Sequence, residues 1–516
     1  MSPKTLTQLE LGPTGGSVGV VGAAGVSFAG VSTGVPGVTA TTACGVVIGV
    51  GELGVPLHQA EATAHPKVRV KPNVRCGGGH IYGQFRHRAF RNDRQVNSSS
   101  ILCTVAKRFA TLVTVAVGVL WLGVLPAPAQ TADDLFSSQN LQRVDLWLNS
   151  ADWSKLKTDF QENTYYPADV TLIGQTARNV GIRSRGRGSR SGTKPGLRVD
   201  FDRYATGQTF LGLKSFILDN LTQDPSGLRE TVAAAFYARL GIPVSREIHT
   251  KLYVNNEYVG VYAIVETVDK DMLARVFGAI GDDTQNDGYL YEFKYQDDWR
   301  FSYLGSGLEP YMLRFEAKTH ETESDEAKYR PIETLVRLTN EASASGLGAA
   351  LSGKFDIPAF IRFVVAQNFL AETDGFLGKY GMNNFYLYRL ENQDLHTLIS
   401  WDSDNAFWGP ELSINEGWSG NPLMEKLMSV TEYNTLYFTE MTRAAQLAEA
   451  DGWLDTEIIR QIQRIDTAMK EDPAKPYSNE TYEGSAGTML NFARPRIAFV
   501  QCELTKGVGN TSCRTQ

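Results

Sequence analysis

Residues 371–405 read AETDGFLGKYGMNNFYLYRLENQDLHTLISWDSDN. They follow a largely apolar segment, Ile357 to Leu370, whose length and composition predict a helix. After that helix come Glu372 and Asp374 before Gly375, then Met382-Asn383-Asn384 leading into an aromatic strand, Phe385 to Tyr388. A further strand, Leu398-Ile399-Ser400, runs into Trp401-Asp402-Ser403-Asp404-Asn405. In an extended segment, Asp402 and Asp404 at spacing two would point to one side. The order helix, Asp, Asn, strand, strand, Asp supplies the residue types that phosphoryl transfer needs. One carboxylate takes or orients a hydroxyl proton, and Asn and Asp oxygens hold a hard divalent cation against phosphates. Asp-Gly and Asp-Ser-Asp-Asn are also ordinary turn sequences, so their succession carries more than either motif alone.

Toward the N-terminus, the alternation in Val144 to Leu148 predicts a strand, Ala151 to Phe160 a helix, and Ala168 to Ile173 and Val180 to Arg185 two further strands. Between that last strand and Leu197 to Phe201 lies Arg185-Gly186-Arg187-Gly188-Ser189-Arg190-Ser191-Gly192-Thr193-Lys194, a hairpin with a basic, glycine-rich tip. Glycines let backbone N–H groups approach an anion, and Arg and Lys add charge, so the tip is a candidate phosphate cover as well as a solvated surface loop. Lys214 to Leu218 reads as a strand, and Ser226 as the cap of a helix from Gly227 to Leu240 with Arg229 and Glu230 in its first turns. A hairpin, His249 to Val254 and Tyr258 to Thr267 around Asn255-Asn256, precedes a lobe boundary near Glu266 to Lys270. Residues 281–330 are polar and read as loops around short strands such as Gly288 to Phe293.

Lys107 and Arg108, the apolar run Phe109 to Leu125 and Ala127-Pro128-Ala129 have the layout of an export signal, with cleavage expected after Ala129. The run is short for a membrane span, and an uncleaved anchor is the alternative. Residues 1–104 combine a Gly, Val, Ala, Ser and Thr run with an Arg- and His-rich stretch, and read as disordered or as lying upstream of the true start near Leu102 or Val105. The expected organisation is a signal at 105–129, a first lobe at 130–266 and a mainly helical second lobe at 267–516. Beyond residue 129 the chain holds 39 basic against 53 acidic residues, a net charge of -14. That balance argues against nucleic acid as a partner. Cys502 and Cys513 can close a small loop in an oxidising compartment or remain free thiols. His249, His320 and His396 are too scattered for a zinc site.

From about residue 142 to 500 the chain resembles the CotH (spore coat protein H) kinase family. The resemblance rests on the Arg185 to Lys194 hairpin, Leu228-Arg229-Glu230, Leu252 to Tyr262 ending in Glu266, Asp374-Gly375, Asn384 to Tyr388, and Trp401-Asp402-Ser403-Asp404. It implies an α+β, atypical protein-kinase-like two-lobed fold using ATP and Mg2+ or Mn2+. It further implies transfer of the γ-phosphoryl group to Ser or Thr of an exported protein substrate, in a secreted, periplasmic or cell-surface setting without a stable membrane anchor after signal cleavage. By the same resemblance Asp374 is the catalytic aspartate, and Asn384, Asp402 and Asp404 hold the metal, with Asn383 open as the alternative to Asn384. Gly186 and Gly188 lie over the nucleotide, Lys194 or Lys214 faces its phosphates, and Glu266 belongs to the cofactor site. Thr373 before Asp374 and Ser403 after Asp402 depart from ordinary kinase motifs, and Asn256 stands where the family commonly has Gly. The rival from another class is a non-catalytic surface adhesion or coat-assembly protein on the same fold.

Overall fold

The computed structural model describes residues 130–280 and 283–514. The expected export signal and the stretch before it lie outside the described residues. A short helix α1 (Ala132–Phe136) leads into β1 (Gln142–Leu148), α2 (Ser150–Thr158), β2 (Tyr166–Leu172), β3 (Gln175–Ser184), β4 (Leu197–Asp200) and β5 (Ser215–Asp219). Helix α3 (Arg229–Arg239), β6 (Glu247–Val254) and β7 (Glu257–Glu266) follow. The seven strands close into a barrel in the order β1-β2-β3-β4-β5-β7-β6. Closure comes from a parallel pairing of β1 with β6, Gln142 opposite Thr250 and Leu146 opposite Val254.

Alternation along each strand decides what faces where. Phe216 and Leu218 of β5 and Tyr262 and Ile264 of β7 fill the barrel together with Val144, Ile182 and Ile248. Ile217, Val261, Ala263 and Val265 face out of the barrel into the larger second core. Asp219, one step after Leu218, takes the outward phase and so reaches the space between the barrel and the rest of the chain.

Beyond Glu266 come α4 (Lys270–Phe277), β8 (Tyr289–Phe293), β9 (Phe315–Ala317), α5 (Asp325–Glu341), α6 (Ile357–Phe369), β10 (Phe385–Arg389) and β11 (His396–Ser400). Then come α7 (Thr431–Glu449), α8 (Trp453–Glu471), α9 (Asn479–Leu490) and α10 (Ala493–Lys506). Strands β9-β8-β10-β11 form a second, antiparallel sheet, so this half is not purely helical. Ten of the 13 residues of helix α6 are buried because it runs through the core, while Arg362 reaches outward to Glu440. Phe236 of α3 stacks on its Phe369 at 4.9 Å. Cys502 and Cys513 are disulfide-bonded at the C-terminal end. No helix of the described residues is long and apolar enough to cross a membrane.

Two local expectations are corrected. The polar stretch expected as loops contains the start of α5, whose buried Tyr329, Ile332, Leu335 and Val336 form a stripe obscured by its charged outer face. Helix α3 begins at Arg229 rather than Gly227, and Ser226 is not its cap. Asp224 does that work: its carboxylate accepts from the N–H groups of Ser226, Leu228 and Arg229.

Candidate active site

The loop from β3 to β4 is stitched at several points. Arg185 N donates to Gly196 O at 2.9 Å, and Asn220 Nδ2 donates to Ser189 O and Lys194 O, each at 2.8 Å. Arg190 closes the tip on itself through Gly186 O and reaches Phe160 O and Asn163 Oδ1. Gly186 sits at φ +112°, a conformation that a side chain would strain. Arg187 at the tip crosses to Tyr295 O of the second half at 3.0 Å, so the hairpin roofs a cleft.

Beneath it is a cavity of about 360 Å3. Its roof holds Gly186, Gly188 and the side chains of Arg183, Arg185 and Arg187; its floor holds Asp219, Asp224 and Glu230; its far wall is Trp401, Asp402 and Asp404. One side is a square of charges between β8 and β9, in which Lys294 and Lys318 each bridge Glu292 and Glu316 at 2.7 to 3.0 Å. Burial pushes Glu292 upward, but the two ammonium groups outweigh it and hold it below its ordinary range. A second cavity of about 520 Å3 shares Arg183, Arg185, Glu292, Lys318 and Trp401 with the first. It extends to the Thr267 to Lys270 link, past Ile217, Val268, Leu290 and Tyr386.

The quoted segment 371–405 is brought together by its own turns. Helix α6 ends at Leu370, and Ala371 at φ +52° turns the chain out of the helix. The excursion from Gly375 to Met382 then folds back on itself, with Asn383 N donating to Gly375 O at 3.0 Å and Lys379 N to Thr373 O at 2.8 Å. A Cβ at Gly375 would lie 2.3 Å from Gln367 Nε2 and would displace that amide, whose Oε1 accepts from Phe376 N. The ten-residue spacing therefore shrinks to contact: Asn383 Nδ2 and Asn384 Nδ2 both donate to Asp374 Oδ2, at 3.0 and 3.1 Å. Pairing of Phe385 with Ser400 sets this group beside the Trp401 to Asp404 segment. Asp374 stands behind that segment and not on the cavity wall, near enough for its charge to act on Asp402.

The carboxylates are crowded. Burial first, then Asp402, Glu372 and Asp219, push Asp404 up to about 9. Burial also lifts Glu372 to about 8, helped by Asp374 and Asp402 and opposed by the Asp374 N–H that Glu372 Oε1 accepts at 2.8 Å. Asp402 opens onto the cavity; surrounding protein, then Asp219, raise it while Arg185 pulls it back. Glu230 of the floor and Glu247, which does not line the cavity, lie together, both held well above the carboxylate range by burial and by their neighbours' charge. Burial raises Asp374 as well, against the two asparagine amides.

Among the described residues no three His, Cys, Asp or Glu side chains already converge as a metal cage. The donor set nevertheless fits Mg2+, which is commonly held by one or two carboxylates with substrate phosphates and water completing six oxygens. Asp402 and Asp404 face the cavity, and a cation there would relieve the repulsion that lifts them. Asn383 and Asn384 commit their NH2 groups to Asp374, so only their amide oxygens remain as ligand ends.

Not every expected residue is in the cleft. Lys194 lines neither cavity: its ammonium is buried against Asp472 at 2.7 Å, because the hairpin base turns it toward the helical half. Lys214 is exposed and lines the second cavity only. Glu266 is buried at the end of β7 between Arg246 and Arg275, at 2.7 and 2.5 Å, and anchors the link between halves. The cations that do face the carboxylates are the hairpin arginines with Lys294 and Lys318. Asp219, Glu230, Glu372 and Glu292 were not assigned as site residues from sequence, although Glu230 lies in the Leu228-Arg229-Glu230 motif, Glu372 stands two residues before Asp374, and Asp219 takes the outward phase after Leu218.

A family model described as CotH kinase protein matches residues 182–500, more than half of the chain. Inner spore coat protein H of Bacillus subtilis (strain 168) is 23% identical over 383 residues, covering 72% of this chain and 99% of the relative. Two solved structures superpose distantly. The Helicobacter pylori proinflammatory kinase CtkA gives a TM-score of 0.24 at 12% identity, covering 60% of this chain and 94% of that one. The Shewanella oneidensis HipA, HipB and operator DNA complex gives 0.28 at 11%, covering 56% and 59%.

Proposed function

Because this chain belongs to the CotH kinase family, we propose that it is an exported phosphoryl transferase that uses ATP with Mg2+ or Mn2+ and phosphorylates Ser or Thr of secreted or surface proteins. The observation that carries this reading is the division of charge across the 360 Å3 cavity, arginines on the roof and carboxylates on the floor and far wall. A bare anion would satisfy the arginines and repel the carboxylates. A bare cation would do the reverse. A metal-bound polyphosphate meets both walls at once.

On this reading the triphosphate lies under Gly186 and Gly188 with Arg183 and Arg185 donating to it. The nucleoside end occupies the adjoining cavity between Ile217, Val268, Leu290 and Tyr386. Asp402 and Asp404 would hold the metal, which when bound neutralises charge on the phosphate oxygens. Asp374, fixed by Asn383 and Asn384, lies off the cavity wall next to Asp402, so on this reading the acceptor hydroxyl enters from the Asp374 side; Asp374 takes its proton while that oxygen bonds to the γ-phosphorus, and the bond to the β,γ-bridging oxygen breaks with ADP leaving. The raised affinity of Asp374 for a proton suits this role.

Incubation of the purified protein with Mg2+ and γ-labelled ATP is expected to place label on Ser or Thr of itself or of an exported acceptor. Binding of Mg-ATP without any transfer, across metals and acceptors, would overturn the catalytic reading and leave the adhesion or coat-assembly role.

A further inference from the structure

Lys194 and Asp472 are 278 residues apart, one at the base of the glycine-rich hairpin and the other just after α8, and their side chains are 1% and 0% exposed. A fully buried ion pair needs its remaining hydrogen-bonding capacity filled, and here the carboxylate is filled. Asp472 Oδ2 accepts from Lys194 Nζ at 2.7 Å and from Val261 N at 2.9 Å, and Oδ1 accepts from Ala474 N at 2.9 Å. The barrel makes room for it: Gly260 stands at φ +146°, and a Cβ there would lie 2.5 Å from both carboxylate oxygens. The Lys194 ammonium also lies over the Tyr262 ring, 5.1 Å from its centre.

The same segment grips the barrel side at other points. Tyr258 donates to Ala468 O of α8 at 2.9 Å, and Tyr477 donates to Leu221 O and Asp224 O, each at 3.3 Å, in the turn that floors the cavity. From Lys194 the connection continues inward, since its carbonyl accepts from Asn220, which also holds Ser189 in the roof and is followed back along the chain by Asp219.

We infer that Lys194 and Asp472 are a positioning pair that ties the glycine-rich hairpin to the far end of the helical half, so that the roof is set by a contact outside both cavities. The hairpin is thus held preformed over its ligand. Its dependence on nucleotide rests on the function proposed above; the tie itself does not.

Two variants of the full chain probe the tie from opposite sides. Lys194→Met removes the cation, and Gly260→Ala leaves both charges and displaces the carboxylate. Amide hydrogen exchange in residues 185–196 is expected to speed at least ~10-fold in each, while exchange in 357–369 stays at the wild-type rate. Mg-ATP affinity, measured by calorimetry, is expected to fall ~10- to 100-fold. If Lys194→Met does not fold, Gly260→Ala carries the test. Faster exchange spread evenly over the molecule, or a folded Gly260→Ala with wild-type exchange at 185–196, would overturn the tie and leave the pair as a stabilising contact only. Failure of the wild type to bind Mg-ATP would count against the proposed function, and the exchange result would still decide the tie.

Discussion

Arg496 is fully buried on α10, and its guanidinium donates to Phe369 O at 2.8 Å, Asn368 O at 2.5 Å, Pro410 O at 2.9 Å and Leu412 O. Those carbonyls belong to the last turn of α6, just before Asp374, and to the segment just after Asp404. One side chain therefore holds both arms of the candidate site. Arg496→Met strands the carbonyls of Phe369, Pro410 and Leu412, at about 1–3 kcal/mol each. Burial pushes the Arg496 guanidinium down to about 10, so removing a poorly solvated charge returns roughly 3 kcal/mol at 1.36 kcal/mol per pH unit. The carbonyl loss wins, and a net destabilisation of about 3 kcal/mol is expected. Arg496→Lys keeps a charge but cannot span the fork, and should recover less than half of it. Urea unfolding of the wild type and both variants at pH 7 gives the measurement, with the slope m unchanged if the native state is otherwise intact. A loss below about 1 kcal/mol for Arg496→Met would refute the reasoning, because it would mean that the carbonyls find other donors.

Three further outcomes follow from the site. Asp402→Ala removes one of several crowded carboxylates, so Mg2+-dependent nucleotide binding should vanish while the melting temperature is unchanged or higher; metal-dependent affinity equal to wild type would remove Asp402 from the metal site. Asp374→Asn keeps an oxygen for the Asn383 and Asn384 amides, so stability and nucleotide affinity should hold while turnover drops ~100- to 10,000-fold; wild-type transfer by the stable variant would reduce Asp374 to a turn residue. Asp404 and Glu372 keep their protons to about 9 and about 8 when folded and lose them near 4 when unfolded, so the folded state binds more protons across that interval. Their contribution is full below about pH 4 and is lost as pH rises through 8 to 9. Without divalent cation the melting temperature should fall between pH 5 and 9, and Mg2+ should restore more at pH 8.5 than at pH 6; a metal effect independent of pH would show that the crowded carboxylates do not take the ion.

What could be read in the sequence was local. Alternation marked β1 and β4, and a largely apolar run marked α6, because one strand or helix reports its own burial. Barrel closure was not legible: β1 pairs with β6 about a hundred residues later, and nothing in either strand names its partner. Helix α5 was obscured because Glu326, Arg330, Arg337 and Glu341 occupy its outer face and pair with one another or with Glu333, giving the segment a loop-like polarity. The cap of α3 was misplaced by two residues because Asp224 reaches three N–H groups from outside the helix, where a Ser nearer the start looked sufficient.

The same limit explains the site. Asp402 and Asp404 could be named because they follow a strand directly, and the Asp374 to Asn384 spacing looked long only because the fold-back through Asn383 N and Gly375 O is invisible in one dimension. The lysine was a different problem. A Lys at the base of a basic, glycine-rich hairpin has two ways to turn, toward the ligand or toward the rest of the protein, and sequence gives both the same weight. What decides is a carboxylate 278 residues away and a glycine, Gly260, that leaves space for it. With Lys194 committed there, the charge opposite the carboxylates must come from Arg183, Arg185 and their neighbours on the roof. Arginine keeps its charge through burial where lysine readily loses it, and burial does lower the Lys194 pKa despite Asp472. An arginine roof over an acidic floor is therefore the more robust way to hold a polyphosphate in a cleft where burial and crowding push Asp402 up to about 6 and Asp404 up to about 9.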